Sequence, residues 1–227
     1  MSLILSIETS TPLCSVALHR AGDLLATKET QEEGGHGKKL TRLIESVCAE
    51  AKFDLNQLDA IALSNGPGSY TGLRIGLATA KGLCFGLDIP LITLNTLKVM
   101  ANAWTNLPSN TLLLPMLDAR RMEVYAAIFD GNNKQIITET SPVILEPDSF
   151  STLNQATIAF GNGALKWKEA CENSFISFSD KHPYPHAQFM GADALLHFEM
   201  KDFTPLVQAE PAYLKEFMGT KPKIKSL

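Results

Sequence analysis

Several features that would assign this chain to a special class of protein are scarce or missing. Only four of the 227 residues are cysteine, and no two of them form a CxxC pair. No apolar run reaches the length that a bilayer requires. Lysine and arginine number 20 against 24 acidic residues, a formal net charge of −4. A cysteine zinc site, a membrane span and a free-standing nucleic-acid binder are therefore disfavoured.

The amino terminus also lacks the positively charged region of a signal peptide. Its apolar run is interrupted by Ser6 and ended by Glu8. The cysteines lie in apolar surroundings, as buried thiols do. Hydrophobic residues make up 45% and charged residues 19%, which is typical of a globular domain with its own core. We therefore expect a reduced, cytoplasmic protein without membrane contact.

The first hundred residues predict an α/β lobe. Short apolar runs separated by turn residues predict an antiparallel meander. A later apolar stripe at helical spacing includes Leu40, Leu43, Ile44 and Val47. The predicted strands are 3–7, 14–18, 24–30, 59–64 and 91–94, and the predicted helices are 38–51, 73–86 and 95–104.

The pattern restarts after a turn-rich segment at 106–110. Residues 113–118 resemble residues 3–8, and both runs end on a carboxylate. Strands predicted at 126–128, 135–140 and 157–160 continue the second half, and a helix is predicted after Gly163. This weak repeat predicts two similar α/β halves facing each other across a cleft.

The lobes are assigned from this repeat and from the C-terminal part of the chain. A final helix at about 188–200 is expected to return to the first half, and 220–227 form a lysine-rich, solvated tail. The first lobe then comprises 1–105 plus about 187–227. The second, smaller lobe comprises 106–186.

The most specific stretch is GPGSYTGLRIG, at 66–76, between a predicted strand and a predicted helix. Amides at a helix N-terminus attract anions, so Gly66, Gly68 and Ser69 are candidates for cradling a phosphate. No Gly-Lys-Ser/Thr follows, so the stretch is not a Walker loop. The alternative is a tight strand-to-helix connection with Ser69 or Thr71 as N-cap.

A second candidate feature is the pair of carboxylates that end the first strand of each half. If Glu8 and Asp118 face each other over the cleft, they can hold a magnesium–nucleotide or act as acid and base. Turn or cap roles are the alternative. The complete set of candidate cleft residues is Glu8, Thr9, Ser10, Gly66, Gly68, Ser69, Asp118, Gly161 and Gly163.

The helix predicted at 73–86 is apolar on nearly all sides. One stripe can cover a sheet, and a second stripe of mostly small residues contains Ile75, Thr79, Gly82 and Gly86. A helix with two apolar sides is buried on both. The second cover is another subunit, the helix predicted at 38–51, or both, since two adjacent helices can present a joint surface to a partner.

Residues 63–86, LSNGPGSYTGLRIGLATAKGLCFG, closely resemble the signature of the TsaB (YeaZ) family. The opening segment, 116–129 and AEPAYL at 209–214 resemble it too, so the match covers nearly the whole chain. This family belongs to the bacterial machinery that makes threonylcarbamoyladenosine (t6A) at position 37 of tRNA. The resemblance implies an actin-like ATPase (ASKHA) fold with two RNase-H-like halves.

The resemblance also implies that this chain has no catalytic residues and no metal. The catalytic paralogue, TsaD, carries its metal on a helix motif whose counterpart here is 95–100. Thr96 and Met100 stand where the two histidine ligands would be, and neither suits that metal. The older glycoprotease (M22) label of the family would require the same metal.

For partners, the resemblance implies that the first two helices pack against TsaD. A homodimer uses the same surface when TsaD is absent, TsaE docks on the TsaB–TsaD pair, and tRNA is contacted only through the complex. The expected interface residues are Leu40, Leu43, Ile44, Val47, Arg74, Ile75, Thr79, Gly82 and Phe85.

We therefore expect a scaffold that activates TsaD and requires no cofactor of its own. The alternative is a small-molecule kinase or phosphotransferase of the same fold, which would bind ATP or ADP in the cleft. A metallopeptidase is the third interpretation.

Overall fold

Two five-stranded mixed sheets form the centres of the two halves. The structure, a computed structural model, describes residues 2–31 and 36–215, except for the side chain of His36. The first sheet has the order β3-β2-β1-β4-β5. Its strands are β1 (Leu3–Glu8), β2 (Cys14–Arg20), β3 (Asp23–Thr30), β4 (Ala60–Ser64) and β5 (Leu91–Leu94).

The second sheet repeats this arrangement. Its order, β10-β9-β6-β7-β8, is the order of the first sheet read from the other edge. In each sheet the first three strands are antiparallel and the last two run parallel to the first. The predicted two-lobed α/β fold is thus confirmed. These strands are β6 (Leu112–Asp118), β7 (Glu123–Asp130), β8 (Ile136–Ile144), β9 (Thr157–Phe160) and β10 (Ile176–Ser179).

Helices cover both faces of the first sheet, which explains why apolar residues predominate on both faces of β1 and β4. Leu3, Leu5 and Ile7 pack with two helices on one face. Ile4 packs with two further helices on the opposite face. The helices are α1 (His36–Ala51), α2 (Tyr70–Leu87), α3 (Thr96–Asn102) and α4 (Gly191–Met200).

Helix α3 lies between the two sheets. Val99 packs against the first sheet, and Leu97 and Met100 pack with residues of the second. The Asn95 side chain caps this helix by accepting hydrogen bonds from Leu97 N at 2.9 Å and Lys98 N at 3.2 Å. One short helix therefore contributes to the packing of both lobes.

The prediction of a helix after Gly163 is wrong. A single 3₁₀ turn, Leu165–Trp167, stands there, because the chain bends to bury Trp167 between Phe150 and Phe178. The helix predicted at 188–200 begins later, at Gly191, after a 3₁₀ turn at Ala187–Phe189; a further 3₁₀ turn is Leu55–Gln57.

The remaining predictions concern the C-terminal tail, the lobe bounds and membrane spans. The lysine-rich tail predicted at 220–227 lies outside the described residues, and the lobe bounds stay predictions. In the described part of the chain, no helix is both long and apolar enough to cross a membrane.

Substitution of Gly72 by alanine is expected to destabilise the protein, since the added Cβ would lie 2.0 Å from Thr9 O. Both groups are held by backbone, so relief requires moving β1 or α2, at a cost of about 2 kcal/mol or more. Gly82→Ala is the matched control, because its Cβ would have no neighbour from outside the helix within 4 Å in the part of the chain that the structure describes. That change is expected to add about 0.5–1 kcal/mol through helix propensity. Urea unfolding of both variants measures the difference, and equal effects would contradict the packing argument.

Candidate partner interface and interlobe cleft

Helix α2 buries one side and leaves the other open. Ser69 caps its N-terminus by accepting a hydrogen bond from Gly72 N at 3.3 Å, as one of the two predicted caps. Leu73, Leu77 and Cys84 face the sheet. On the opposite side, a row at spacings of three and four residues is exposed. We call this row the open face: Arg74, Ala78, Gly82 and Phe85.

The open face is apolar and flat apart from its two ends. Phe85 is 85% exposed, the second-highest fraction among the large hydrophobic residues that the structure describes. Beyond the helix itself, no atom of the described residues lies within 4 Å of the Cβ positions of Gly82 and Gly86. The half-buried Ile75 instead packs partly against the core of the first lobe, and a Cβ on Gly37 at the start of α1 would lie 4.0 Å from it. The second apolar stripe of α2 is therefore only partly covered by α1.

The expected contribution of α1 needs correction. Leu40, Ile44 and Val47 are at most 3% exposed and belong to the core of the first lobe, so they are not available to a partner in this structure. Leu43 is half-buried against the same core. The helix has a single apolar stripe, and that stripe covers β2 and β3. Of the other predicted interface residues, Thr79 is half-buried, and Arg74, Gly82 and Phe85 are exposed.

Residues 209–215, which we call the bracket, run back along the N-terminal half of α2. Ala212 N donates to Asn65 O at 2.8 Å, and Asn65 Nδ2 donates to Glu210 O at 2.8 Å. Lys81 Nζ donates to Ala209 O at 3.0 Å. A Cβ on Gly66, whose φ is +122°, would lie 2.8 Å from Ala212 O. The bracket thus explains why glycine stands at position 66.

The bracket also carries an aromatic and cationic cluster. The rings of Tyr70 and Tyr213 stack with centroids 4.9 Å apart. Arg74 Cζ lies 4.0 Å from the Tyr70 centroid, and Arg74 Nε donates to the Tyr213 hydroxyl at 2.8 Å. Lys215 pairs with Glu123 of β7, in the second lobe. In the sequence this segment stands out only as a family motif, and no local pattern predicts its contacts with α2.

A cleft of about 490 Å³ lies between the lobes. Ser10, Gly68 and Ser69 line it from the first lobe, and Asp118 lines it from the second, together with Arg120 and Tyr125. The other predicted cleft residues do not line it: Glu8, Thr9, Gly66, Gly161 and Gly163.

Glu8 is fully buried beneath the cleft lining. Its Oε1 accepts a hydrogen bond from Ser10 N at 2.5 Å, whereas Oε2 and the Ser10 hydroxyl have no hydrogen-bond partner. Burial raises the pKa of Glu8 from 4.5 to about 7, although the hydrogen bond from Ser10 N opposes this. The carboxyl is therefore half-protonated near neutrality and has no access to a ligand.

Asp118, in contrast, is already paired. Its Oδ1 lies 2.5 Å from Lys166 Nζ and accepts from Arg120 N at 2.9 Å. The two carboxylates are thus not brought together in the cleft as the sequence suggested. Sequence position identified both strand ends, but it did not reveal which side chain turns inward.

The glycine-rich loop uses its polar groups internally. Ser69 N donates to Ser10 O at 2.6 Å, and Thr9 Oγ1 donates to Gly72 O at 2.8 Å. A Cβ on Gly68 would lie 2.4 Å from Ser10 O. These contacts fit the alternative interpretation of a tight strand-to-helix connection better than a phosphate cradle.

The two positions aligned with metal ligands are also occupied by internal contacts. Thr96 Oγ1 lies 2.8 Å from Ser64 Oγ and accepts from Gly66 N at 3.1 Å, and Met100 is fully buried. Across residues 2–31 and 36–215, no three His, Cys, Asp or Glu side chains lie close enough to hold a metal ion.

Comparison with known proteins assigns the chain to a family. The model of the family described as "TsaD: tRNA N6-adenosine threonylcarbamoyltransferase" matches residues 28–221. The TsaB protein of Haemophilus influenzae is 31% identical over 93% of both chains, and that of Escherichia coli is 30% identical over 96% of both. A solved structure of YeaZ from Pseudomonas aeruginosa is 27% identical, with a TM-score of 0.80, over 94% of this chain and all of that one.

Fold and matches together define an α/β protein with two lobes that share one sheet topology. The topology of each half and the full-length structural match agree on this class. Within this class, the chain belongs to the TsaB (YeaZ) family.

The raised pKa of Glu8 predicts a pH-dependent stability. The folded state binds this proton more tightly than the unfolded state, so the stabilisation is complete below pH 4.5 and is lost as pH rises through about 7. Relative to Glu8→Gln, the wild type should lose about 3 kcal/mol between these limits. Urea unfolding at pH 4.5, 6 and 7.5 measures this. Asp118→Asn serves as the control, and a Glu8→Gln difference that is independent of pH would contradict the prediction.

Proposed function

We propose that this chain is a non-catalytic subunit of tRNA threonylcarbamoyladenosine biosynthesis that pairs with TsaD through the open face of α2. The pathway is suggested by the names of the TsaB relatives. The single observation that carries the pairing is the open face itself, with Phe85 85% exposed beside the uncovered Gly82. Exposed aromatic side chains next to small residues are typical of helix-packing surfaces.

The geometry of the face supports a helical partner. Small residues at Ala78 and Gly82 allow another backbone to approach closely, and Phe85 supplies apolar area at the end of the row. We propose the same surface for a homodimer when TsaD is absent. In the proposed complex, TsaE joins the TsaB–TsaD pair and tRNA is contacted through the assembly, which suits a chain of net charge −4.

The cleft supports this role better than a kinase or phosphotransferase role. Glu8 is buried, Asp118 is paired with Lys166, and the Ser69 amide donates to Ser10 O. The proposed subunit requires no cofactor of its own. ATP turnover by the isolated chain, abolished by Asp118→Ala, would favour the kinase instead.

Complex formation with TsaD from the same organism tests the proposal directly. Size-exclusion chromatography with light scattering is expected to give a one-to-one heterodimer. A clean absence of complex across micromolar concentrations would remove the proposal.

Gly82→Arg is expected to weaken the complex about 100-fold or more, because docking would bury an unpaired charge. The change should leave folding intact, since within the described residues a Cβ on Gly82 would meet no atom beyond its own helix within 4 Å. Ala170→Arg is the matched control, because it adds the same side chain at an exposed position of the second lobe. Calorimetric titration gives the affinities, and circular dichroism verifies folding. Equal affinities of the two variants would show that the partner docks elsewhere.

A further inference from the structure

The guanidinium of Arg74 is fixed by two tyrosines while the residue stays exposed. Its Cζ lies 4.0 Å from the Tyr70 centroid and 5.9 Å from that of Tyr213. Its Nε donates to the Tyr213 hydroxyl. Among the described residues, no carboxylate forms an ion pair with it. Within residues 2–31 and 36–215, this surface arginine is thus held in one orientation without a carboxylate partner.

Tyr213 contributes little to the core of either lobe. It is 40% exposed, its ring stacks on Tyr70, and its hydroxyl accepts from Arg74. Its backbone position is set by the hydrogen bonds that the bracket makes to Asn65. The arrangement is therefore better explained by control of the Arg74 orientation than by burial of the tyrosine ring.

Orientation of this kind favours binding of a carboxylate. A guanidinium matches a carboxylate through two parallel N–H donors, and fixing it in advance lowers the entropic cost of docking. Arg74 stands one turn before Ala78, at the edge of the open face. A carboxylate at the rim of a docked helix would reach Arg74 while the small residues take up the apolar contact.

We propose that Tyr213 is a positioning residue that presents Arg74 to a carboxylate side chain of the partner protein. The inference rests on the proposed function, because it assigns chemistry to one end of the same surface. A protein carboxylate is favoured over an RNA phosphate, since the rest of the open face is apolar and the chain carries a net charge of −4.

A double-mutant cycle tests this proposal, with TsaD affinity measured by calorimetry for the wild type, Tyr213→Phe, Arg74→Gln and the double variant. Tyr213→Phe keeps the stacked ring and removes only the hydroxyl that accepts from Nε. Arg74→Gln is expected to weaken binding about tenfold or more, and Tyr213→Phe about threefold. In the Arg74→Gln background, Tyr213→Phe should have no further effect.

Two further measurements separate positioning from structural support. Arg74→Lys keeps the charge but loses the planar fork, and an affinity between those of the wild type and Arg74→Gln is expected. The affinity of the wild type should also fall more steeply with salt than that of Arg74→Gln. Urea midpoints of all variants control for folding. If Tyr213→Phe does not fold, the comparison of Arg74→Lys with Arg74→Gln still tests whether Arg74 binds a carboxylate.

The opposing results are distinct. If Tyr213→Phe changes TsaD affinity equally in both backgrounds, Tyr213 only supports the structure. If Arg74→Gln leaves TsaD affinity unchanged, Arg74 does not bind a carboxylate of the partner. If Arg74→Gln abolishes tRNA binding by the complex but leaves TsaD affinity intact, the ligand of Arg74 is an RNA phosphate. Failure of the wild type to bind TsaD would remove the proposed function and this inference together.

Discussion

The close approach of the end of β1 to the start of α2 is the constraint on which the functional surfaces depend. Thr9 hydrogen-bonds Gly72 O, and Ser10 O accepts from Ser69 N. A Cβ on Gly72 would lie 2.0 Å from Thr9 O, so glycine is the residue that permits this contact. The contact fixes the direction of α2 relative to the sheet. The same few backbone atoms therefore determine the positions of the open face of α2 and of the floor of the cleft.

This constraint also explains why a motif that resembles a phosphate loop has another use here. Glycines that bring a backbone close to a ligand also bring it close to another strand. In this chain the neighbour is Ser10, which occupies the Ser69 amide. The acid that precedes this segment, Glu8, is buried with one oxygen unpaired, and its pKa rises to about 7. The loop is consequently an architectural element of the first lobe.

Much of the fold follows from local pattern, and the exceptions have physical causes. The strands around Leu5 and Ile61 are mostly apolar because helices cover both faces of their sheet. The helix predicted after Gly163 does not form, because burial of Trp167 in the second lobe requires a bend that the local helical pattern does not predict. Strand β8 extends through Pro142, because an edge strand tolerates a missing N–H donor.

The candidate site was harder to predict, for two reasons. One apolar stripe on α1 fits a sheet or a partner equally well, and only the structure shows that Leu40 and Val47 serve the sheet. The role of Tyr213 depends on contact with a residue 139 positions earlier, and no spacing rule reports such a contact. The open face of α2 could be detected in the sequence. The helix carries Gly82 and Phe85 on one side although its sheet-facing side is already apolar, and a helix that is apolar on two sides is expected to be covered on both.

The bracket has a consequence for the order of events during synthesis. Helix α2 leaves the ribosome long before Tyr213, and the first lobe can begin to fold around it. Until residues 209–215 are made, Arg74 lacks the contact with Tyr213 and Asn65 lacks its hydrogen bonds to the bracket. A nascent chain therefore carries an unfinished surface at the start of α2 until residues 209–215 have been made.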